Sequence, residues 1–377
     1  MPAALCCAST VAGRSRVAAA RTDAAAPDGL NLVALAAYLT AAGVPLTGPL
    51  SGQLVSGGRS NLTYVVGDRR HNWVVRRPPE GRILPGAHDV GREYQVMAAL
   101  AGTVVPVPAM VSFCADDTVL GVPFYVMERV DGTVLRSRDQ VVALDQAQRV
   151  RLGTALVDTL ADLHDIDYGA IGLGRLGRPD GYLRRQVERW VEQYGQVKIR
   201  ELPHIEHIVA TLRDGLPPSG PASIVHGDYR LDNVMVERAE PDRIAAVLDW
   251  EMATLGDPLA DLATLAMFWD EPGRPYNPIT AGLTAVAGFP GVADVIERYV
   301  ARRQLVVDDI DWYLVFAEFK LAVILEQIHA RHVSGQTIGA GFDTIGDMVL
   351  VLLDSAMEEI ARSSSLRRIT ARRKDEA

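Results

Sequence analysis

Eight residues constrain this chain more than any others: His226-Gly227-Asp228-Tyr229-Arg230-Leu231-Asp232-Asn233, followed by an apolar stretch that ends in Val247-Leu248-Asp249. The spacing carries the chemistry. Transfer of a phosphoryl group asks little covalent help of a protein, but it needs a carboxylate beside the attacking hydroxyl and oxygen ligands for the Mg²⁺ on the phosphates. An Asp, an Asn five positions later and a second Asp after a short hairpin supply all three. Asp228 is the candidate that orients and deprotonates a hydroxyl, and Asn233 and Asp249 are the candidate metal ligands. A lone His-Gly-Asp or Leu-Asp-Trp occurs by chance in many loops. Here both stand in order on strand-like segments at 223–225, 234–236 and 245–248, which argues for a phosphoryl-transfer loop.

The order and roles match the kinase signature H-R-D-x-x-x-x-N followed by D-F-G, with two departures. Gly227 replaces the Arg that would pair with a phosphorylated activation loop. Only seven residues separate Asp249 from Asp257, which leaves no room for an activation loop or a peptide-docking platform. Asp257 suits a helix N-cap and Pro258 the first helical position. Asp261, one turn in, either complements the helix dipole or braces the catalytic loop.

The segments IVHGDYRLDNVMV and VLDWEMATLGDPLADLATL resemble the aminoglycoside phosphotransferase and choline kinase group of small-molecule kinases. The closer likeness is to the phosphotransferase-like domains that some proteins carry fused to acyl-CoA dehydrogenases. It extends upstream through SGGRSNLTYVV, NWVVRRPPEGRILPGAHDVGREYQVMAAL and FYVMERVDG, so that it spans about residues 28–350. The resemblance implies a two-lobed, protein-kinase-like α+β fold, with a small β-rich N-lobe over 28–130 and a larger, mainly helical C-lobe over 131–377. It also implies ATP and Mg²⁺ in the cleft and transfer of the γ-phosphoryl group to a hydroxyl of a small molecule. An aminoglycoside and a hydroxyacyl compound, including a CoA thioester, both remain open as acceptor. A nucleotide-binding regulator with little turnover is the reading from another class.

Composition fits that frame. A length of 377 residues and 48% hydrophobic content allow two lobes with a core in each,. A net charge of −9 argues against a general nucleic-acid or membrane-surface binder,. No apolar run approaches the ~20 residues of a membrane helix. Three cysteines, two of them adjacent at Cys6 and Cys7, form neither a disulfide framework nor a metal-ligand spacing, so a cytoplasmic setting is expected,. Residues 1–27 lack a basic start and a long apolar core, and read as a disordered tail. The basic tip at 367–374 reads as a solvated tail.

After a helix at 30–40 closed by Gly43, strand-like runs are expected at 52–55, 61–66 and 72–76,. Ser56, Gly57, Gly58, Arg59, Ser60 and Asn61 join the first two, in the place of a phosphate-covering loop whose N–H groups reach phosphate oxygens,. By itself such a turn is only a hairpin. Trp73-Val74-Val75-Arg76 occupies the place of the strand whose lysine pairs with the α- and β-phosphates. No lysine precedes Lys198, so Arg76 is the candidate cation, unless it and Arg77 merely end an edge strand before Pro78,. Arg77 points to the other face. Glu93, on a helix expected at 91–100, is the candidate partner of Arg76 or a surface carboxylate. The strand at 124–127 leads to Glu128 and Val130, in the place of a hinge whose backbone C=O and N–H would meet the adenine edge.

The remainder is mainly helical. A helix at 149–163 ends at His164, which suits a buried, hydrogen-bonded histidine better than a ligand,. Between Asp165 and Pro221 lies an insertion with an amphipathic stretch at 182–194, and in the resembling family such additions help to build the acceptor pocket. Its Arg178, Arg184, Arg185 and Arg189 would suit an anionic acceptor, whereas Glu192, Asp270 and Glu271, if they line the same region, would suit a cationic one. The closing helices at 310–333 and 342–362 read as core, with Glu326, His329 and Arg331 either structural or facing the pocket.

Overall fold

The computed structural model describes residues 27, 29–55, 61–79, 89–218, 220–272, 279–336 and 342–369. The tail at 1–26, the loop residues Ser56, Gly57, Gly58, Arg59 and Ser60, and positions 370–374 of the basic tip therefore lie outside the described residues. The first part comprises α1 (Leu32–Ala41), β1 (Ser51–Leu54), β2 (Leu62–Gly67), β3 (Asn72–Arg77), α2 (Val90–Leu100), β4 (Met110–Cys114), α3 (Asp117–Leu120) and β5 (Phe124–Glu128). The Asn31 side chain caps α1 by accepting from the N–H groups of Val33 and Ala34 at 3.1 and 3.0 Å,. The strands form one antiparallel sheet in the order β1-β2-β3-β5-β4.

That order places β3 inside the sheet, between β2 and β5, so Arg76 and Arg77 do not end an edge strand. Alternation along β3 sends Trp73, Val75 and Arg77 into the lobe interior while Val74 and Arg76 line the cleft,. Trp73 and Val75 pack there with Leu35, Leu39, Tyr64 and Val126. Arg77 is only 1% exposed and gives its guanidinium to the Gly29 and Pro78 carbonyls.

The rest of the chain comprises β6 (Gly132–Thr133), α4 (Arg138–Val142), α5 (Gln146–Asp165), α6 (Tyr182–Val197), α7 (Ile205–Asp214), β7 (Ser223–Val225), β8 (Val234–Glu237) and β9 (Ile244–Val247). After these come β10 (Thr254–Gly256), α8 (Leu259–Met267), α9 (Val292–Arg303), α10 (Ile310–Val333) and α11 (Ile345–Arg362). The molecule is thus a small antiparallel-sheet lobe joined to a helical one. The division between lobes that we propose, after residue 130, falls between β5 and β6.

Two short sheets carry the motif. β8 and β9 form the hairpin between Asn233 and Asp249, with β6 alongside β8. β10 pairs with β7, so part of the short connection from Asp249 to Asp257 becomes a strand the sequence pattern did not reveal. One apolar cluster joins Val96, Met97, Tyr125 and Met127 of the sheet lobe to Leu156, Leu160, Val234 and Val247. A second packs α6, α7, α8, α10 and α11 together.

Burial makes Arg77 structural. Arg77→Ala removes a charged donor and leaves buried carbonyls without it, so urea unfolding should show a loss of about 2 kcal/mol or more. A change under 0.5 kcal/mol would mean that water replaces the guanidinium at no cost.

Candidate active site

The loop after β7 is built to hold Asp228 still. Gly227 has φ +87°, and a Cβ there would lie 2.8 Å from Met252 Cβ and 2.9 Å from its carbonyl oxygen, so neither the conformation nor the space admits the arginine of protein kinases,. His226 is fully buried; its Nε2 donates to the Leu248 carbonyl at 2.9 Å, which leaves Nδ1 to accept from Asp228 N at 3.3 Å,. The ring also packs on Trp250 and Tyr229, with centroids at 4.6 and 5.8 Å. Asn233 Nδ2 donates to both the backbone oxygen and Oδ2 of Asp228 at 2.8 Å, leaving its Oδ1 for another partner. Asp249 has φ +66°, an uncommon conformation for a residue with a Cβ, directly after Leu248 N–H bonds the Asn233 carbonyl at 2.9 Å,. One hairpin thus fixes Asn233 and Asp249 together.

Asp261 braces this loop. Its Oδ2 accepts from His226 N at 2.5 Å and its Oδ1 from Gly227 N at 2.8 Å, so the dipole explanation alone does not account for it. Asp257 accepts from Leu259 N at 3.0 Å, as a residue at a helix start should, and from the Tyr313 hydroxyl at 2.8 Å. His164 is buried between Tyr299, whose hydroxyl lies 2.6 Å from Nδ1, and Asp261 Oδ2, 3.3 Å from Nε2. Desolvation holds the His164 imidazole below its ordinary pKa despite the neighbouring carboxylate. For Asp261, burial acts upward, but His164 and the backbone donors outweigh it and the carboxyl titrates low.

A charged network crosses the cleft. Arg76 Nε lies 3.0 Å from Glu93 Oε2, and its Nη2 lies 2.7 Å from Asp249 Oδ1. Glu93 is 1% exposed and accepts from Asn61 Nδ2 at 2.7 Å and from the Tyr125 hydroxyl at 2.8 Å, so it is no surface carboxylate. Burial raises the Glu93 pKa, while Arg76 acts against that rise. Glu93, Asp249 and Glu251 each offer a carboxylate oxygen within 4.8 Å of the others, a donor set suited to a hard cation,.

Three residues at this site were not singled out in the sequence. Arg92 Nε bonds the Ala253 carbonyl at 2.7 Å and its Nη2 the Leu176 carbonyl at 2.6 Å, which ties α2 to the segment after Asp249. Arg230 Nε lies 3.2 Å from Asp228 Oδ1, its Nη1 2.9 Å from Asp232 Oδ2, and its guanidinium 4.9 Å from the Phe268 ring centre. Lys320 Nζ donates to the Gly227 carbonyl at 2.7 Å. Arg230 sits inside the motif and was open to notice; Lys320, 93 residues downstream, needed the fold.

Asn61, Arg76, Glu128, Val130, Asp228, Asn233 and Asp249 all line one cleft, as do Lys320 and Arg230. Around the hinge, Glu128 N bonds the Ala109 carbonyl at 2.9 Å and Arg129 N the Asn72 carbonyl at 3.2 Å. The insertion behaves differently from expectation. Arg178, Arg184, Arg185 and Arg189 are not part of the cleft lining; Arg185 bonds the carbonyls of Arg178 and Asp180, and Arg189 lies over Trp190 at 5.7 Å. Nor do Glu192, Asp270 or Glu271 line it, and Glu271 accepts from Val292 N at 2.6 Å. The helical face turns its polar residues outward, as an amphipathic helix does. Glu326 is buried against Arg200, with Nη2 at 2.7 Å, and His329 packs on Gly346, while Arg331 reaches the cleft.

Residues 51–294 match the model of the phosphotransferase enzyme family. The chain belongs to that family. Mouse acyl-CoA dehydrogenase family member 10 is 33% identical over 85% of this chain, which spans 30% of that relative's length. A crystal structure from Ralstonia eutropha JMP134, provisionally named an aminoglycoside phosphotransferase, is 34% identical, with a TM-score of 0.75 over 87% of this chain and 98% of that one. A thermostable mutant of an aminoglycoside phosphotransferase, crystallised with AMP-PNP and hygromycin B, shares the fold at 16% identity and a TM-score of 0.57, over 84% of this chain and 96% of that one. Among the described residues of this phosphotransferase, no helix is long and apolar enough to cross a membrane.

The brace has a cost if lost. Asp261→Ala leaves two buried backbone donors without their charged acceptor and should reduce stability by about 3 kcal/mol or more in urea unfolding. Because the folded chain refuses protons that the unfolded chain takes up, stability should fall as pH drops below about 6.5 through His164, and again below about 3.8 through Asp261,. A flat profile between pH 6.5 and 5 would show that His164 does not stay neutral in the fold.

Proposed function

We propose that this phosphotransferase moves the γ-phosphoryl group of ATP to a hydroxyl of a small molecule with Mg²⁺ as cofactor. The carrying observation is the convergence of Asp228, Asn233 and Asp249 on one cleft wall, with Arg76 opposite. Asn233 Oδ1 and Asp249 would hold Mg²⁺, which would offset the charge of the phosphates. Asp228, oriented by Asn233 Nδ2 at 2.8 Å, would receive the acceptor proton,. Glu128 and Val130 offer backbone groups for the adenine edge, and Asn61 with the preceding loop would cover the phosphates.

Arg76 stands where a lysine would pair with phosphates, and its Nη2 lies 2.7 Å from Asp249 Oδ1,. Its guanidinium keeps its proton under all ordinary conditions. It is therefore placed to pair with the candidate metal-ligand carboxylate and would also reach the α- and β-phosphates.

For the acceptor, a hydroxylated acyl compound fits better than an aminoglycoside. A polycationic sugar calls for clustered carboxylates, whereas the cleft away from the hinge is walled by Val197, Ile199, Met267, Phe268, Leu321 and Ile324, and it adds the cations Lys198, Lys320 and Arg331 to the motif's own Asp228, Arg230 and Asp232. Apolar walls with a few cations suit an apolar chain that carries an electron-rich group.

Asp228→Asn should retain Mg²⁺-ATP affinity in calorimetry while kcat falls by roughly 10²-fold or more; loss of nucleotide binding would assign Asp228 a structural role instead. Arg76→Met should weaken ATP far more than AMP, and should strengthen binding of Mn²⁺ alone, read by electron paramagnetic resonance, because Asp249 loses its internal counter-charge. Unchanged Mn²⁺ affinity would mean that Arg76 does not hold Asp249 in solution.

A further inference from the structure

The acceptor end of the cleft contains a lysine ammonium that has no ion-pair partner among the described residues. Lys320 lies on α10, which packs against α6, α7, α8 and α11. Its helix neighbours Ala317, Leu321 and Ile324 line the cleft beside it. The ammonium donates to the Gly227 carbonyl at 2.7 Å, and the Trp190 ring centre lies 6.0 Å away. Among the described residues it makes no other hydrogen bond and has no carboxylate within ion-pair distance, in contrast to Arg230, which has two, and to Glu318 and Glu326 on the same helix, which bond Ser355 and Arg200. Desolvation lowers its pKa, with Asp228 and Asp261 acting against that and Arg189 adding to it.

An ammonium held among apolar groups without an ion-pair partner is costly. The cost is offset if a ligand brings the missing electron density. Resting on the phosphotransferase reading above, we propose that Lys320 is the specificity-determining residue for the acceptor: its ammonium meets a carboxylate or thioester carbonyl oxygen carried by the same molecule whose hydroxyl faces Asp228. The Gly227 carbonyl fixes the ammonium one residue from Asp228, so the recognised oxygen and the reacting hydroxyl must lie close together on the acceptor. The apolar chain then runs along Leu321 and Ile324. The same point charge disfavours a polycationic acceptor.

The test compares three probes of equal chain length, 3-hydroxyoctanoate, its N-acetylcysteamine thioester and 1,3-octanediol, by calorimetry on the full chain loaded with AMP-PNP and Mg²⁺. The acid or the thioester should bind at least about tenfold tighter than the diol, the difference expected for one charge-assisted contact. Whichever of the two is preferred identifies the group read. Lys320→Met should abolish the preference with AMP-PNP affinity unchanged, and Lys320→Arg should retain part of it. Equal binding of all three probes, no binding of any, or a preference that survives in Lys320→Met overturns the proposal. Lack of discrimination by the wild type overturns the proposal even if a variant does not fold, and Lys320→Arg gives a second variant if Lys320→Met does not. The two readings also fail separately: discrimination without ATP turnover would sink the kinase function alone, and turnover without discrimination would sink only the role of Lys320.

Discussion

The Asp261 carboxylate accepting the backbone N–H groups of His226 and Gly227 is the contact on which the candidate site depends. A loop that presents a carboxylate to a cleft exposes its own backbone donors to burial, and buried donors must be paired. Asp261 pairs two at once from the first turn of α8. The brace makes use of the short path from Asp249 to Asp257, because a long insertion there would remove the helix from beneath the loop. The short path thus supplies the anchor for the loop that carries Asp228.

From that anchor the order spreads outward. His226 passes it to Leu248 through Nε2, Leu248 to Asn233 through the β8–β9 hairpin, and Asn233 to Asp228 through its amide. Asp249, held at positive φ, then meets Arg76 across the cleft, and Arg76 is fixed by Glu93, which Asn61 and Tyr125 hold in turn. The two lobes are thus tied by charge at the point where nucleotide would enter, with Arg92 as a second tie through backbone carbonyls.

Much of this was legible in the sequence because the motif residues are close in the chain and their spacing encodes the hairpin. The family and the fold were legible through the resemblance that the motifs carry, and the pairing of Arg76 with Glu93 through their places in the kinase pattern. What the sequence hid came from longer range. β3 lies inside the sheet because β5 pairs with it across two intervening helices and a strand, and nothing local to Arg77 reveals that neighbour. The arginines at 178–189 look like an acceptor patch in a linear reading, but the apolar stripe of α6 turns inward and leaves Arg184, Arg185 and Arg189 on the outside. Lys320 carries no local signal beyond being a lysine in an apolar helix. Its meaning appears only when α10 is laid against the loop after β7.

Whether this cleft joins a phosphoryl group to a hydroxyl is read from the product. Phosphorus NMR of purified protein with ATP, Mg²⁺ and a hydroxyacyl acceptor should show ADP and a new phosphomonoester resonance growing in equal amounts, with neither formed when the metal is chelated. ADP accompanied only by inorganic phosphate, or no ADP with any alcohol, sugar, aminoglycoside or hydroxyacyl compound, would contradict that transfer.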